Sequence, residues 1–198
     1  MRLPKLRELA LAIRSLVTWP FTNGYPFKSV TIPDGFRGKP EYNEQECVGC
    51  LACYEVCPAR AIDYVDDKDN KYRTLTHNQE RCIFCQQCEL ACITKKGITL
   101  TKEFELGAAD RKTGISQSRK ELTICEKCGE VVGCTDHLYH AAKKLGVLLY
   151  GNPTLMLARN KELQLVEDRP QTSSHQRGDH LKLLCPNCRR EVILREQW

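Results

Sequence analysis

The sequence predicts an α+β chain built from three parts. Three observations carry that prediction. Cysteines cluster in two matched groups at 47–57 and 82–92, each close to short β-rich runs. Apolar residues recur at three- and four-residue spacing near the start. Two separated C-x2-C pairs stand in the last third. The expected division is an N-terminal helical arm (1–40), a central cysteine-rich unit (41–106) and a C-terminal extension (107–198).

The chain has 198 residues, 13 of them cysteine, with 41% hydrophobic and 28% charged residues. That balance supports a buried core and argues against a disordered polyelectrolyte. The longest charge-free stretch, Leu145–Ala158, is 14 residues and contains Gly146, Gly151, Asn152 and Pro153. A bilayer-spanning helix needs about 20 apolar residues, so none is expected. Arg14 interrupts the apolar run Leu9–Ile13 and no small-residue cleavage site follows, so a secretory signal is not expected either. Disulfides belong mainly to exported proteins, and an odd number of cysteines leaves one unpaired. Dense cysteine in a reducing compartment points to metal.

In the arm, Leu3, Leu6, Leu9, Ala10, Ile13, Leu16 and Val17 form one face of an amphipathic helix, with Arg2, Lys5, Arg7 and Arg14 largely off it. Trp19, Pro20 and Phe21 follow. Such a basic amphipathic helix suits a membrane interface, a partner protein or the chain's own core.

In the central unit, Cys47, Cys50, Cys53 and Cys57 read C-x2-C-x2-C-x3-C, and Cys82, Cys85, Cys88 and Cys92 repeat that spacing 35 residues on. A [4Fe–4S] cube needs four thiolates at its corners. Cysteines three apart in a tight loop wrap three corners of one cube, and the fourth, on the departing helix, reaches the other. The expected sets are therefore Cys47, Cys50, Cys53 and Cys92 for cluster 1, and Cys82, Cys85, Cys88 and Cys57 for cluster 2. Zinc sites or structural thiols are the bland alternative. Gly49 and Ala52 are small enough to let backbone N–H groups approach cluster sulfurs. Pro58 ends the first motif, whereas Ile93 stands at the matching place in the second and puts that turn in question. Ala61–Val65 and Tyr72–Thr76 read as hairpin strands around the turn Asp66–Lys71, and Ile98–Thr101 reads as a further strand. Leu51–Cys57 and Gln86–Cys92 read as short helices. Together these describe a bacterial two-cluster ferredoxin unit.

The extension holds Cys125-x2-Cys128 and Cys185-x2-Cys188, two knuckles that close a tetrahedral four-thiolate site, most often zinc, in a zinc-ribbon-like arrangement. Cys125, Cys128, Cys134 and His137 form a rival local set, and a site with iron or no metal is a third reading. A four-thiolate zinc would be structural, since no position is left for substrate. Thr135–Leu145 reads as a helix stopped by Gly146, and Glu167–His180 as a loop. Cys134 reads as a buried small residue. His137 and His140 read as ordinary helix residues rather than ligands, and His77, His175 and His180 receive no role.

Net charge runs +5 over residues 1–40, −4 over 41–106 and +4 over 107–198. The basic residues of the tail are scattered and the aromatics few, which disfavours a nucleic-acid-binding or redox-sensing zinc-ribbon protein, the main alternative function. No phosphate-binding glycine loop, radical C-x3-C-x2-C motif or Ser/His/Asp grouping is present, so no catalytic residue is expected.

Gly35-Phe36-Arg37-Gly38-Lys39-Pro40-Glu41 leading into Cys47-Val48-Gly49-Cys50, and Arg81-Cys82-Ile83-Phe84-Cys85 leading into Cys88-Glu89, resemble the two-cluster ferredoxin subunit of respiratory complex I. They resemble still more the equivalent subunit of membrane-bound [NiFe] hydrogenases of the formate-hydrogenlyase type, over roughly Leu3–Leu106. The resemblance implies a non-catalytic electron-transfer subunit with two [4Fe–4S] clusters. It implies neighbours that include a [NiFe]-type large subunit and a cluster-bearing small subunit, beside a membrane arm, without nucleic acid. It places such a subunit peripherally at the cytoplasmic face of the membrane, with the first helix against a partner or the membrane. The hydrogenase-type relatives also resemble this chain in two separated C-x2-C pairs, which favours the two-knuckle zinc over the local set.

Overall fold

The computed structural model describes residues 5–18, 27–107, 110–165 and 182–194. The chain forms two compact units, Met1–Phe36 and Arg37–Trp198.

In the first unit helix α1 spans Leu6–Val17. The Lys5 backbone N–H donates to the Glu8 carboxylate at 3.0 Å, and Thr18 N–H closes the last turn on Arg14 O at 2.9 Å. Glu8 in the first turn and Arg14 in the last both oppose the helix dipole favourably. Leu6, Leu9, Ile13, Leu16 and Val17 are exposed. Arg2, Leu3, Trp19, Pro20 and Phe21 lie outside the described residues.

The second unit carries two antiparallel sheets. Strand β1 (Pro40–Tyr42) pairs with β4 (Ile98–Leu100). Strands β2 (Ile62–Asp67), β3 (Tyr72–Asn78), β5 (Ile115–Ile124) and β6 (Val131–Cys134) form a four-stranded sheet in the order β2-β3-β5-β6. The expected hairpin is β2–β3, each strand running two residues beyond its expected end. Asp67 builds the turn by accepting the N–H groups of Asp69 and Asn70. The expected short helices are single turns, α2 (Ala52–Glu55) and α3 (Gln87–Leu90).

The connectivity interlocks the two repeats. The strand before the first motif, β1, pairs with the strand after the second, β4. The strand before the second motif, β3, pairs with the strand after the first, β2.

Beyond residue 106 the sheet continues without a break. β5 lies antiparallel along all of β3, from Tyr72↔Glu121 to Asn78↔Ile115. Its buried face is Ser118, Lys120 and Leu122, too polar for hydrophobic alternation to reveal. Helix α4 spans Thr135–Leu145, as expected, and ends at Gly146, whose φ of +55° suits glycine and whose N–H donates to Ala142 O. Helix α5 (Pro153–Glu162) begins with Asn152, whose side chain accepts from Thr154 and Leu155 N–H. Leu138 and Tyr139 of α4 pack on Leu157, Ala158 and Leu183. Helix α6 spans Pro186–Leu194. The expected loop at 167–180, with His175 and His180, lies outside the described residues.

Candidate metal centres

Two cavities open between the repeats. Cys47, Cys50 and Cys53 of the first motif line one together with Cys92 of the second. Cys82, Cys85 and Cys88 line the other together with Cys57. The fourth cysteine of each motif thus lines the cavity of the opposite motif. Cys53 and Cys88, one from each cavity, share a buried core with Ile62, Cys92 and Ile98.

The backbone repeats as closely as the cysteines. Positive φ occurs at Gly49 (68°) and Phe84 (52°), at Leu51 (66°) and Gln86 (70°), and at Arg60 (48°) and Lys95 (64°). Each pair is 35 residues apart. The loop is therefore held in the same left-handed kinks twice, although glycine stands at only one of the six positions. Arg60 N–H donates to Cys57 O at 3.2 Å, and Lys95 N–H to Cys92 O at 3.1 Å. The turn after the fourth cysteine is the same with Ile93 as with Pro58. Backbone N–H groups also point at sulfur: Ala61 N–H lies 3.2 Å from Cys57 Sγ and Phe84 N–H 3.4 Å from Cys82 Sγ.

Burial pushes the Cys53 thiol up to about 11 and the Cys88 thiol up to about 12, and the neighbouring cysteines add to both shifts. Cys50 and Cys82 are raised for the same first reason. At Cys92 burial acts the same way, but the Thr94 hydroxyl and the N–H groups of Thr94, Gly97 and Ile98 outweigh it and lower the thiol. Cys50, Cys53, Cys82 and Cys88 thus resist ionisation unless positive charge arrives with the bound group.

The strand residues that complete these cavities carry no cysteine signal. Along β3 the alternate residues Arg73, Leu75 and His77 are buried. Leu75 walls the first cavity and His77 the second. Arg73 Nη1 donates to Gly49 O at 3.0 Å while its Nε and Nη2 grip both Asp66 oxygens at 2.7 Å. Period-two alternation over 72–78 is the signal that finds this face.

A third cluster lies in the extension. The Sγ atoms of Cys125, Cys128, Cys185 and Cys188 all fall within 4.8 Å of one another. The first pair sits on a knuckle closed by Gly129, whose φ is +71° and whose N–H donates to Cys125 O at 3.0 Å. The second pair is closed by the same backbone bond, Arg189 N–H donating to Cys185 O at 2.9 Å, and runs on into α6, with Cys188 in the first turn and its N–H 3.5 Å from Cys185 Sγ. Burial opposes ionisation at Cys125, but the N–H groups of Cys185, Cys128 and Lys127 outweigh it and hold the thiol at about 6. The hydrogen-bonded Cys128 thiol pushes Cys188 up to about 12. This is the crowding that a divalent cation relieves. Cys134, from the rival local set, is fully buried elsewhere, its Sγ donating to Gly49 O. His137 is lowered by burial and then by His140 and Arg73.

A family model described as a 4Fe-4S dicluster domain matches residues 46–96. NADH-quinone oxidoreductase subunit I 2 of Geobacter metallireducens is 31% identical over 120 residues, 57% of this chain and 91% of the relative. The chain belongs to the subunit I family of NADH-quinone oxidoreductases. Formate hydrogenlyase subunit 6 of Escherichia coli (strain K12) is 37% identical over 107 residues, 54% of this chain and 59% of the relative's length. Among solved structures, a chain of the membrane-bound sulfane sulfur reductase, an archaeal respiratory membrane complex, aligns with a TM-score of 0.41 at 24% identity, over 58% of this chain and 61% of that one. In this member of the subunit I family the two four-cysteine cavities fit [4Fe–4S] clusters in donor number, sulfur chemistry and apolar walls. No helix among the described residues is long and apolar enough to cross a membrane.

Proposed function

We propose that this chain is an electron-transfer subunit of a membrane-associated oxidoreductase complex, with Cys47, Cys50, Cys53 and Cys92 holding one [4Fe–4S] cluster and Cys57, Cys82, Cys85 and Cys88 the other. The single observation that carries this reading is the crossed lining of the two cavities. Bound clusters supply one-electron redox chemistry at each site. The protein's part is to hold the two sites across one shared core, keep water from their apolar walls and aim N–H groups at sulfur. No nucleophile, general base or substrate pocket is needed for that task.

Several finer assignments accompany the reading. The complex is a formate-hydrogenlyase-like [NiFe] hydrogenase or another complex I-like assembly, with a [NiFe]-type large subunit and a cluster-bearing small subunit as neighbours. The chain sits peripherally at the cytoplasmic face. The exposed apolar side chains of α1 dock on a partner or the membrane arm. Cys125, Cys128, Cys185 and Cys188 hold one structural zinc, supported by their four convergent sulfurs. The chain spans 59% of the formate hydrogenlyase relative, and its whole-complex activity belongs to this proposal.

The test is anaerobic purification from native membranes, with identification of co-purifying subunits. The expected result is a multisubunit complex containing a [NiFe]-type large subunit. A complex I-like assembly without that subunit would select the other branch. Recovery of the chain free of any redox partner would overturn the reading.

A further inference from the structure

The interlocked repeats place two side chains in matching positions. Tyr42 stands opposite Ile98 in the β1–β4 pair, and His77 stands opposite Ile62 in the β2–β3 pair. Tyr42 and His77 are 35 residues apart, the same offset as the cysteine motifs. Tyr42 and Ile98 wall the Cys47/Cys50/Cys53/Cys92 cavity, while His77 and Ile62 wall the Cys57/Cys82/Cys85/Cys88 cavity. The residues two earlier on the same strands obey the same symmetry: Leu75 walls the first cavity and Pro40 the second.

At the first cavity the Tyr42 hydroxyl lies 3.7 Å from Cys53 Sγ. At the second, His77 is 1% exposed, and neither Nδ1 nor Nε2 has a hydrogen-bond partner among the described residues. A buried polar ring nitrogen without a partner keeps its full desolvation penalty, so its retention in an apolar wall calls for a partner in the cavity. Burial, and after it the Lys39 ammonium, lowers His77 from its usual value. A neutral imidazole still carries one N–H to donate.

We propose that His77 is the second repeat's counterpart of Tyr42: a positioning residue whose N–H donates to the sulfur cage of the group held by Cys57, Cys82, Cys85 and Cys88, and so raises the reduction potential of that site. This rests on the two-cluster reading above. A donor to cluster sulfur stabilises the more negative, reduced state, and removing it lowers the potential of that site alone.

The test uses the full chain with both clusters in place, titrated anaerobically and followed by EPR. His77→Phe keeps a ring and removes the donor. The expected result is a roughly tenfold drop in the reduction equilibrium of one component, equal to about 59 mV for a one-electron couple, with the other unmoved. Tyr42→Phe should move the other component instead, and His77→Gln, which retains an N–H, should restore most of the lost potential. Equal movement of both components in His77→Phe, or movement of neither, overturns the proposal. Should His77→Phe lose iron, uniform ¹⁵N-histidine labelling of the wild-type chain decides. A ¹⁵N coupling to one reduced cluster supports the proposal, and its absence overturns it. A wild-type chain without two clusters sinks the underlying reading instead, and iron analysis separates the two failures.

Discussion

The thiol of Cys134 donates to the carbonyl oxygen of Gly49 at 3.4 Å, joining residues 85 apart in sequence. Gly49 lies between Cys47 and Cys50, and Cys134 ends β6. The same carbonyl accepts Arg73 Nη1. The extension after residue 106 therefore reaches into the backbone of a cysteine loop in the cluster unit.

Gly49→Ala should be strongly disruptive. Its φ is +68°, and an added Cβ would stand 2.5 Å from Cys134 Sγ and 3.3 Å from Lys120 Cβ. Left-handed strain alone costs about 1–2 kcal/mol, and the clash adds to it. The expected outcome is a lower unfolding midpoint and loss of one cluster's EPR signal. Adding Cys134→Ala should return part of the stability, because it relieves the clash and not the φ. A double-mutant cycle measures that coupling, expected at about 0.5–3 kcal/mol.

Cys134→Ala by itself should leave the iron count unchanged at about eight per chain. It removes a fully buried sulfur and one hydrogen bond, at a cost of about 1–2 kcal/mol. Iron analysis beside denaturant unfolding checks both halves; a loss of iron would make Cys134 more than a packing residue.

Arg73→Met should cost about 3 kcal/mol. The guanidinium is 8% exposed and its Asp66 partner 19%, so substitution strands a largely buried carboxylate and frees the Gly49 carbonyl. Asp66→Asn, which keeps an oxygen acceptor, should cost less. Chemical denaturation of both variants gives the ranking.

The proposed zinc site makes a separable prediction. Cys185→Ala should remove about one zinc per chain while leaving about eight iron. A loss of about 3 kcal/mol would lower Tm by roughly 6–12 °C for a chain of this size. Metal analysis with a thermal scan tests it, and concurrent loss of iron would contradict the assignment.

The two central four-cysteine groups were legible in the repeated C-x2-C-x2-C-x3-C spacing, and each group of four sulfurs that lines a cavity draws on both repeats. The β2–β3 hairpin and α4 were legible through alternation and a glycine stop. β5 was not, because its buried face mixes Ser118 and Lys120 with Leu122, and its pairing with β3 spans some forty residues. Tyr42, Arg73 and His77 were missed because each acts through a strand face that exists only once the repeats interlock. Asn152 before Pro153 was a readable start for α5. The first turn of α6 was hidden inside what reads as a second knuckle.

The most direct test of the account is ⁵⁷Fe Mössbauer spectroscopy on two double variants. Crossed ligation predicts that Cys53→Ala with Cys92→Ala damages one site and leaves one unaltered cluster of four iron, about half the wild-type content. It predicts that Cys53→Ala with Cys57→Ala alters both clusters. The reverse outcome, with an unaltered cluster surviving only in the second variant, would mean that each motif closes on its own cluster and would contradict the account.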